Sequence, residues 1–418
     1  MTPDAVPMTF ESVRGCRSCG SGDLAPVLDL GMQPLANAYR EPGDVSTEAR
    51  YPLGLLRCRG CSLVQLTGTI PPKLMFDTYA YFSSYSSTMV DAMEALAGRL
   101  TAQRRLTADD LVVEIASNDG YLLKHYMELG IPVLGIEPAR NVASVAVQNG
   151  VPTLSEYFTL SLGAELAGSG RSASVIHANN VMAHVPQIND FVAGIRAALR
   201  PDGVAVVETP YLVRFVDDRE FDTIYHEHVF YYSLTAVSTL VARHGLKVVD
   251  VEQIPLHGGS LRLFIQHEEL ERRASDRVET LLRSERKRGV TTDEYYLDFA
   301  TRVEELKTQV TGLLRRLRTQ GASIAAYGAA AKGTVLLNHF GLDQDLIEFV
   351  VDRSVHKQGL VMPGVGIPIL AADELGRRRP DYTLLLAWNF ADEILAQQDS
   401  YRKAGGTFII PLPVVSLR

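Results

Sequence analysis

From residue 111 onward the chain alternates short, β-rich apolar runs with stretches of helical period. Runs at 111–115, 133–136, 173–177 and 203–209 read as strands. The segments between them carry helical spacing, so parallel βαβ units are expected. A pair of runs at 246–253 and 261–266, broken by Gly258-Gly259, reads as a late hairpin-like pair. Upstream, 89–106 has helical spacing, and 76–87 is a bridge dense in Tyr and Ser. Residues 268–318 are charged and helical in period, a long helix or helix pair joining two lobes. A second βαβ series follows at 323–327, 347–351, 382–387 and 407–411. Residues 10–75 differ: they are rich in Gly and Pro, with short apolar runs such as 53–56 and few large apolar side chains. The pattern predicts an α/β protein in three parts. These are a small N-terminal module (10–75), a central Rossmann-like lobe (76–267), and a helical connection with a C-terminal Rossmann-like lobe (268–418).

Composition narrows the partners. A chain of 418 residues is too long for one ordinary core. A formal charge of -8, with no block of Lys or Arg, argues against nucleic acid. No apolar run approaches the roughly 18 residues that span a bilayer, and Met1 to Thr9 lacks the layout of a signal peptide. A cytoplasmic protein without membrane or nucleic-acid partners is expected; its oligomeric state is left open, a monomer included.

The four cysteines fall in two CxxC brackets, Cys16-Cys19 and Cys58-Cys61. Such knuckles aim both sulfurs at one point, and two of them make a tetrahedral, closed, structural zinc site. A redox dithiol or plain core cysteines are the alternatives, and disulfides suit the compartment less well. The gap between the brackets is longer than a zinc ribbon needs, so an insertion must loop out between them.

The strand at 111–115 runs into Glu114-Ile-Ala116-Ser-Asn118-Asp-Gly120 and then a helix. A strand–turn–helix unit brings backbone N–H groups close to a ligand. The next strand ends at Glu137-Pro138, near the spacing of about 20 residues at which an acidic side chain accepts ribose hydroxyls. Without GxGxxG, a dinucleotide is disfavoured and S-adenosylmethionine fits better; an ordinary turn beside a solvated Glu is the plain alternative. The third strand delivers His177 to Val185, with Asn179, Asn180 and His184, where the rest of that cofactor would sit.

Chemistry concentrates at Tyr225-His226-Glu227-His228. A histidine titrates near neutrality and can take a proton from a carbon beside a carbonyl, while a tyrosine hydroxyl can hold the developing oxyanion. A metal site at His226, Glu227 and His228 lacks an obvious third partner, and a satisfied polar turn is the bland reading. In the C-terminal lobe, Gly328 to Thr334 places small residues and Lys332 before an apolar helix, a turn able to hold a pyrophosphate or simply to be a tight turn. A nicotinamide-dependent oxidoreductase built on this lobe is the alternative function. Its missing GxGxxG and missing acidic ribose partner count against it.

Taken together and in this order, the two CxxC brackets, the Glu114–Gly120 turn, Tyr225-His-Glu-His228 and His257-Gly-Gly-Ser260 resemble the three-domain sugar C-methyltransferase family. The resemblance is nearest to its members acting at C-3′ in tetronitrose biosynthesis. It implies S-adenosylmethionine-dependent methylation at C-3′ of a dTDP-linked 3-amino-4-keto deoxysugar for an antibiotic, through an enolate and without a catalytic metal. It also implies roles: His228 as the base, with Tyr225, Glu227, Tyr79 and His184 as further active-site positions. Cofactor contacts are expected from Glu114, Ala116, Asn118, Gly120, Glu137, Pro138, Asn179, Asn180 and Tyr85. Lys332, Tyr225, His226 and Ser260 are expected to bind substrate, with the third lobe gripping the nucleotide.

Overall fold

The computed structural model describes residues 10–44, 46, 48–71, 75, 83–85, 87–255 and 258–418. Tyr79 and His257 lie outside these residues, and only the backbone of Tyr85 is described.

Three main sheets organise the chain. In the middle lobe, seven strands lie in the order Leu246–Ile254, Ser260–His267, Leu199–Pro210, Ala173–Asn179, Val112–Ile115, Val133–Ile136, Thr153–Leu154. All pair in parallel except Ser260–His267, which is antiparallel to both neighbours. Strand order switches between Val112–Ile115 and Ala173–Asn179, which opens a crevice at their carboxyl ends. The central strands are buried on both faces, as their unbroken apolar pattern demands.

The C-terminal lobe repeats the plan with six strands: Ile369–Ala371, Val350–Asp352, Ile324–Tyr327, Tyr382–Leu385, Thr407–Ile410 and the antiparallel Ser416–Leu417. Its switch falls between Ile324–Tyr327 and Tyr382–Leu385, and the turn leading to Lys332 follows the first of these strands. The charged connection is a helix pair, Asp276–Arg288 and Asp293–Thr319, parted by Gly289 at φ +81°. The first packs on the middle lobe, where buried Glu285 accepts the N–H groups of Leu234 (2.7 Å) and Thr235 (2.8 Å) at the start of helix Leu234–Ala242.

The N-terminal module is a four-stranded antiparallel sheet whose fourth strand comes from elsewhere. Leu24–Pro34, Arg50–Cys58 and Val64–Leu66 are joined by Phe230–Tyr231, just after the Tyr225–His228 cluster. The expectation of few large apolar residues here is corrected: Leu28, Leu30, Leu53, Leu55, Leu63 and Leu66 are all buried. They lie in short alternating strands rather than in one long run, and they pack into the core shared with the middle lobe. Arg59 fastens the module to the long helix through Asp293, at 2.6 and 2.9 Å. No helix among the described residues is long and apolar enough to cross a membrane.

Candidate active site

The four cysteine sulfurs lie within 4.8 Å of one another, with Cys16–Cys61 and Cys19–Cys58 each at 3.5 Å. Four thiolates at about 2.3 Å from one zinc stand about 3.8 Å apart, so the set fits that ion. Each knuckle closes the same way: Gly20 N–H to Cys16 O and Ser62 N–H to Cys58 O, both 2.8 Å. The closing residues take positive φ, +76° at Gly20 and +62° at Ser62. No fifth donor approaches among the described residues, as befits a structural site.

The expected insertion between the brackets reaches across to both other lobes. Asn37 donates to Glu227 Oε1 (2.7 Å), Tyr39 donates to Ala329 O (2.6 Å), and Ala36 O accepts from Thr334 (2.9 Å). The zinc module thus clamps the reactive loop against the turn of the third lobe.

In the middle-lobe crevice, Ala116 and Asn118 adopt φ of +56° and +50°, costly for non-glycine residues and typical of a backbone shaped for a ligand. Gly120, at φ +81°, has no room for a side chain, since a Cβ would come 2.7 Å from Val151. Glu137, buried at the end of the second strand, pins this turn: Oε2 accepts Asn118 N–H (2.9 Å) and Oε1 accepts Ala139 N–H (2.8 Å). Pro138 lies between these contacts. Ser83 N–H donates to Asn118 Oδ1 at 2.9 Å, so the short turn Ser83–Tyr85 lies against the crevice. Burial raises the Glu114 carboxyl well above its usual range, opposed by the Asn179 amide and reinforced by Glu137 and Asp119. Glu114 Oε2, Asn179 Oδ1 and Asn180 Oδ1 are buried without partners among the described residues. Three clustered carboxyls and unpaired polar atoms suit a cationic, polar ligand, which is what S-adenosylmethionine is. His177 is not part of this surface; it is fully buried against the Tyr126 hydroxyl (2.9 Å).

The reactive cluster is a turn. His228 N–H bonds Tyr225 O at 2.9 Å, so positions two apart do not share a face. His228 Nδ1 points at Thr223 O (3.0 Å) and its Nε2 at the Tyr225 hydroxyl (2.9 Å). A carbonyl only accepts, so Nδ1 carries the proton of the neutral ring, and Nε2 accepts from the tyrosine. His184 stands beside it, rings 4.8 Å apart, with its Nδ1 on Glu227 O (2.7 Å). Burial pushes the His184 imidazole down to about 4, against hydrogen bonds to Glu227 and Asn180. It is neutral at pH 7. The Glu227 carboxyl is raised by burial and held by Asn37.

His226 is turned the other way. It is 2 % exposed and lies edge-on to Tyr51 of the zinc module at 5.8 Å, away from His228. Ser260 is buried in strand Ser260–His267 and pairs with Pro210 and Ile254. Lys332 lies over the Trp388 ring at 4.6 Å and donates to Asn389 (3.0 Å), and its charge lowers the carboxyls of Glu220 and Asp222 that burial raises. The expected lack of an acidic residue in the third lobe is also corrected. Asp352 ends its second strand and accepts Ala329 N–H (2.7 Å) much as Glu137 accepts Asn118. The strand it ends was expected at 347–351, one residue short of Asp352.

Sequence reasoning passed over Asn37, Thr223 and Trp388. Asn37 had one signal, the overlong gap between the brackets. Thr223 acts through its backbone and Trp388 through the fold, which no spacing reveals.

Comparison with known proteins gives the class. Residues 255–413 match a C-methyltransferase C-terminal domain, 86–251 a methyltransferase domain and 16–76 a zinc binding domain. Over 399 residues the chain is 38% identical to C-methyltransferase NovU of Streptomyces niveus, covering 95% of both. The chain belongs to this C-methyltransferase family. It is an S-adenosylmethionine-dependent C-methyltransferase with an N-terminal zinc-binding domain. Solved structures match it only in part. Magnesium protoporphyrin IX methyltransferase (ChlM) from Synechocystis PCC 6803 is 11% identical, TM-score 0.33, over 42% of this chain and 77% of that one. The PH0226 protein from Pyrococcus horikoshii OT3 is 12% identical, TM-score 0.36, over 47% and 98%.

Proposed function

We propose that this enzyme methylates C-3′ of a dTDP-linked 4-keto deoxysugar. The observation that carries the reading is the His228–Tyr225 pair: a histidine with its Nδ1 committed to a carbonyl and its Nε2 beside a phenol. A ring carbon of a sugar is no nucleophile until a neighbouring keto group acidifies its C–H bond. His228 Nε2 then takes the proton, and the electron pair moves toward the keto oxygen. Once Nε2 carries that proton it no longer accepts from Tyr225, whose hydroxyl becomes available to the enolate oxygen. Neutral His184 adds no second positive charge next to the imidazolium. Bound S-adenosylmethionine supplies an electrophilic methyl on a sulfonium.

Glu227, fixed by Asn37, and Tyr79 border the sugar in this reading, while His226 supports the loop from behind. Glu114, Ala116, Asn118, Gly120, Glu137, Asn179 and Asn180 form the cofactor crevice. The domain limits of this reading are 10–75, 76–267 and 268–418, and among the described residues Phe230–Tyr231 of the middle domain pairs with the N-terminal sheet. The third lobe, with Lys332 and Asp352 at its crevice, grips the nucleotide.

The test is product analysis. Enzyme with S-adenosylmethionine is offered dTDP-4-keto deoxysugars with and without a 3-amino group. Gain of one methyl, located at C-3′ by NMR, supports the reading, and the preferred sugar shows whether the amino group is required. Methyl on oxygen or nitrogen, or on another carbon, contradicts it.

A further inference from the structure

The turn Phe221–Thr223, which holds the base from behind, is itself held by the third lobe. Phe221 stacks on Phe340 (5.0 Å, 22°) and packs against His339 (5.6 Å), both near the end of helix Ala331–Phe340. Asp222, with no exposed surface, accepts the indole N–H of Trp388 at 2.7 Å. Burial raises the Asp222 carboxyl, and the backbone amides of Asp222 and Thr223 oppose this by favouring its charged form. Lys332 lies over the Trp388 ring from the start of the same helix that ends at Phe340. Inside the turn, Thr223 N–H bonds Glu220 O (2.9 Å) and Ile224 N–H bonds Phe221 O (3.0 Å), so the peptide between Thr223 and Ile224 cannot swing alone. The carbonyl of that peptide receives both His228 Nδ1–H and, at 3.1 Å, the Tyr231 hydroxyl.

We propose that Trp388 and Asp222 are positioning residues for His228: the indole–carboxylate bond fixes the Thr223 carbonyl, and through it the tautomer that leaves Nε2 to act. A residue in the last lobe of the chain therefore sets the readiness of a base in the middle lobe. The proposal rests on His228 being the base. It explains a feature that the chemistry alone does not require, a fully buried carboxylate whose side-chain donor is a neutral indole rather than a cation in contact. It also gives one rigid helix, from Lys332 to Phe340, a part in both gripping substrate and holding the turn behind the base.

The test uses the full-length enzyme carrying Trp388→Phe, which keeps an aromatic ring beneath Lys332 and removes the N–H. Turnover is measured together with nitrogen NMR of ¹⁵N-histidine-labelled protein, the His228 signals being assigned by their loss in His228→Asn. The expected result is a fall in kcat of about 10-fold, with KM for both substrates within about twofold, and a His228 Nδ1 signal moved from protonated toward a mixture of tautomers. Asp222→Asn retains an acceptor for the indole, and it should keep the wild-type tautomer with kcat within about threefold. A Trp388→Phe enzyme with wild-type tautomer and kcat overturns the proposal. So does a rise in KM at constant kcat, which makes Trp388 a substrate contact, or an Asp222→Asn enzyme as impaired as Trp388→Phe. Should His228→Asn methylate at full rate, the base assignment fails; the tautomer of His228 in Trp388→Phe is read independently of that outcome.

Discussion

Replacing Glu137 by alanine should injure both the cofactor site and the fold, and the two costs can be separated. Both carboxylate oxygens of Glu137 already accept a backbone N–H, from Asn118 at 2.9 Å and Ala139 at 2.8 Å. Each donor left buried without a partner costs about 1–3 kcal/mol. Part of that is offset, because burial raises the Glu137 carboxyl and its removal ends that penalty. A net loss of about 2–4 kcal/mol in the ligand-free protein is expected. A charge-assisted contact to a ribose adds roughly 1.5–3 kcal/mol to binding alone. Affinity for S-adenosylmethionine should therefore fall about 10–100-fold. Denaturant melts of the ligand-free protein and titration calorimetry with S-adenosylhomocysteine read the two quantities. Glu137→Gln keeps one acceptor but sets its NH₂ against the other N–H, and should lie between alanine and wild type in both. Unchanged affinity with lowered stability would move the ribose contact elsewhere and leave Glu137 as a brace. Unchanged values in both assays would refute the reasoning outright.

Two further outcomes follow from buried groups. Cys58→Ser should lose the single zinc expected per chain, seen by elemental analysis, and become insoluble on losing the fold of 16–66, whereas zinc-free wild-type protein that stays folded would contradict a structural metal. Glu220, raised by burial from 4.5 to about 8 against the charge of Lys332, favours the folded state only while it is protonated. Its stabilising share is complete below about pH 4.5 and is lost as pH rises through about 8, so Glu220→Gln should be more stable than wild type at pH 9 and little different at pH 5. Parallel pH–stability curves for the two proteins would count against it.

Legibility followed chemistry that is local in sequence. Strand 133–136 was placed to the residue because nothing polar interrupts it, and its neighbours were placed within a few positions. The short strands Thr153–Leu154, Ile369–Ala371 and Ser416–Leu417 escaped, being too brief to show a period. The cysteine site was visible because CxxC carries its own geometry. The orientation of His226 and His228 was not, because a turn hydrogen bond at Tyr225 broke the alternation that an extended segment would have. Asp352 was passed over because the run was expected to end at 351, one residue before it. Least readable were the contacts across lobes, Asn37 to Glu227 and Trp388 to Asp222, which join residues remote in the chain by single hydrogen bonds.

The central claim is that His228 removes a proton from a carbon beside a keto group before any methyl moves. It is tested most directly by exchange in D₂O, with a dTDP-4-keto deoxysugar and S-adenosylhomocysteine in place of the methyl donor. Wild-type enzyme should wash deuterium into C-3′, and His228→Asn should lose both this exchange and methylation by roughly 10²–10⁴-fold. Tyr225→Phe should be milder in both. A His228→Asn enzyme that exchanges and methylates near the wild-type rate would contradict the account and pass the role to His184, the other imidazole of the cluster.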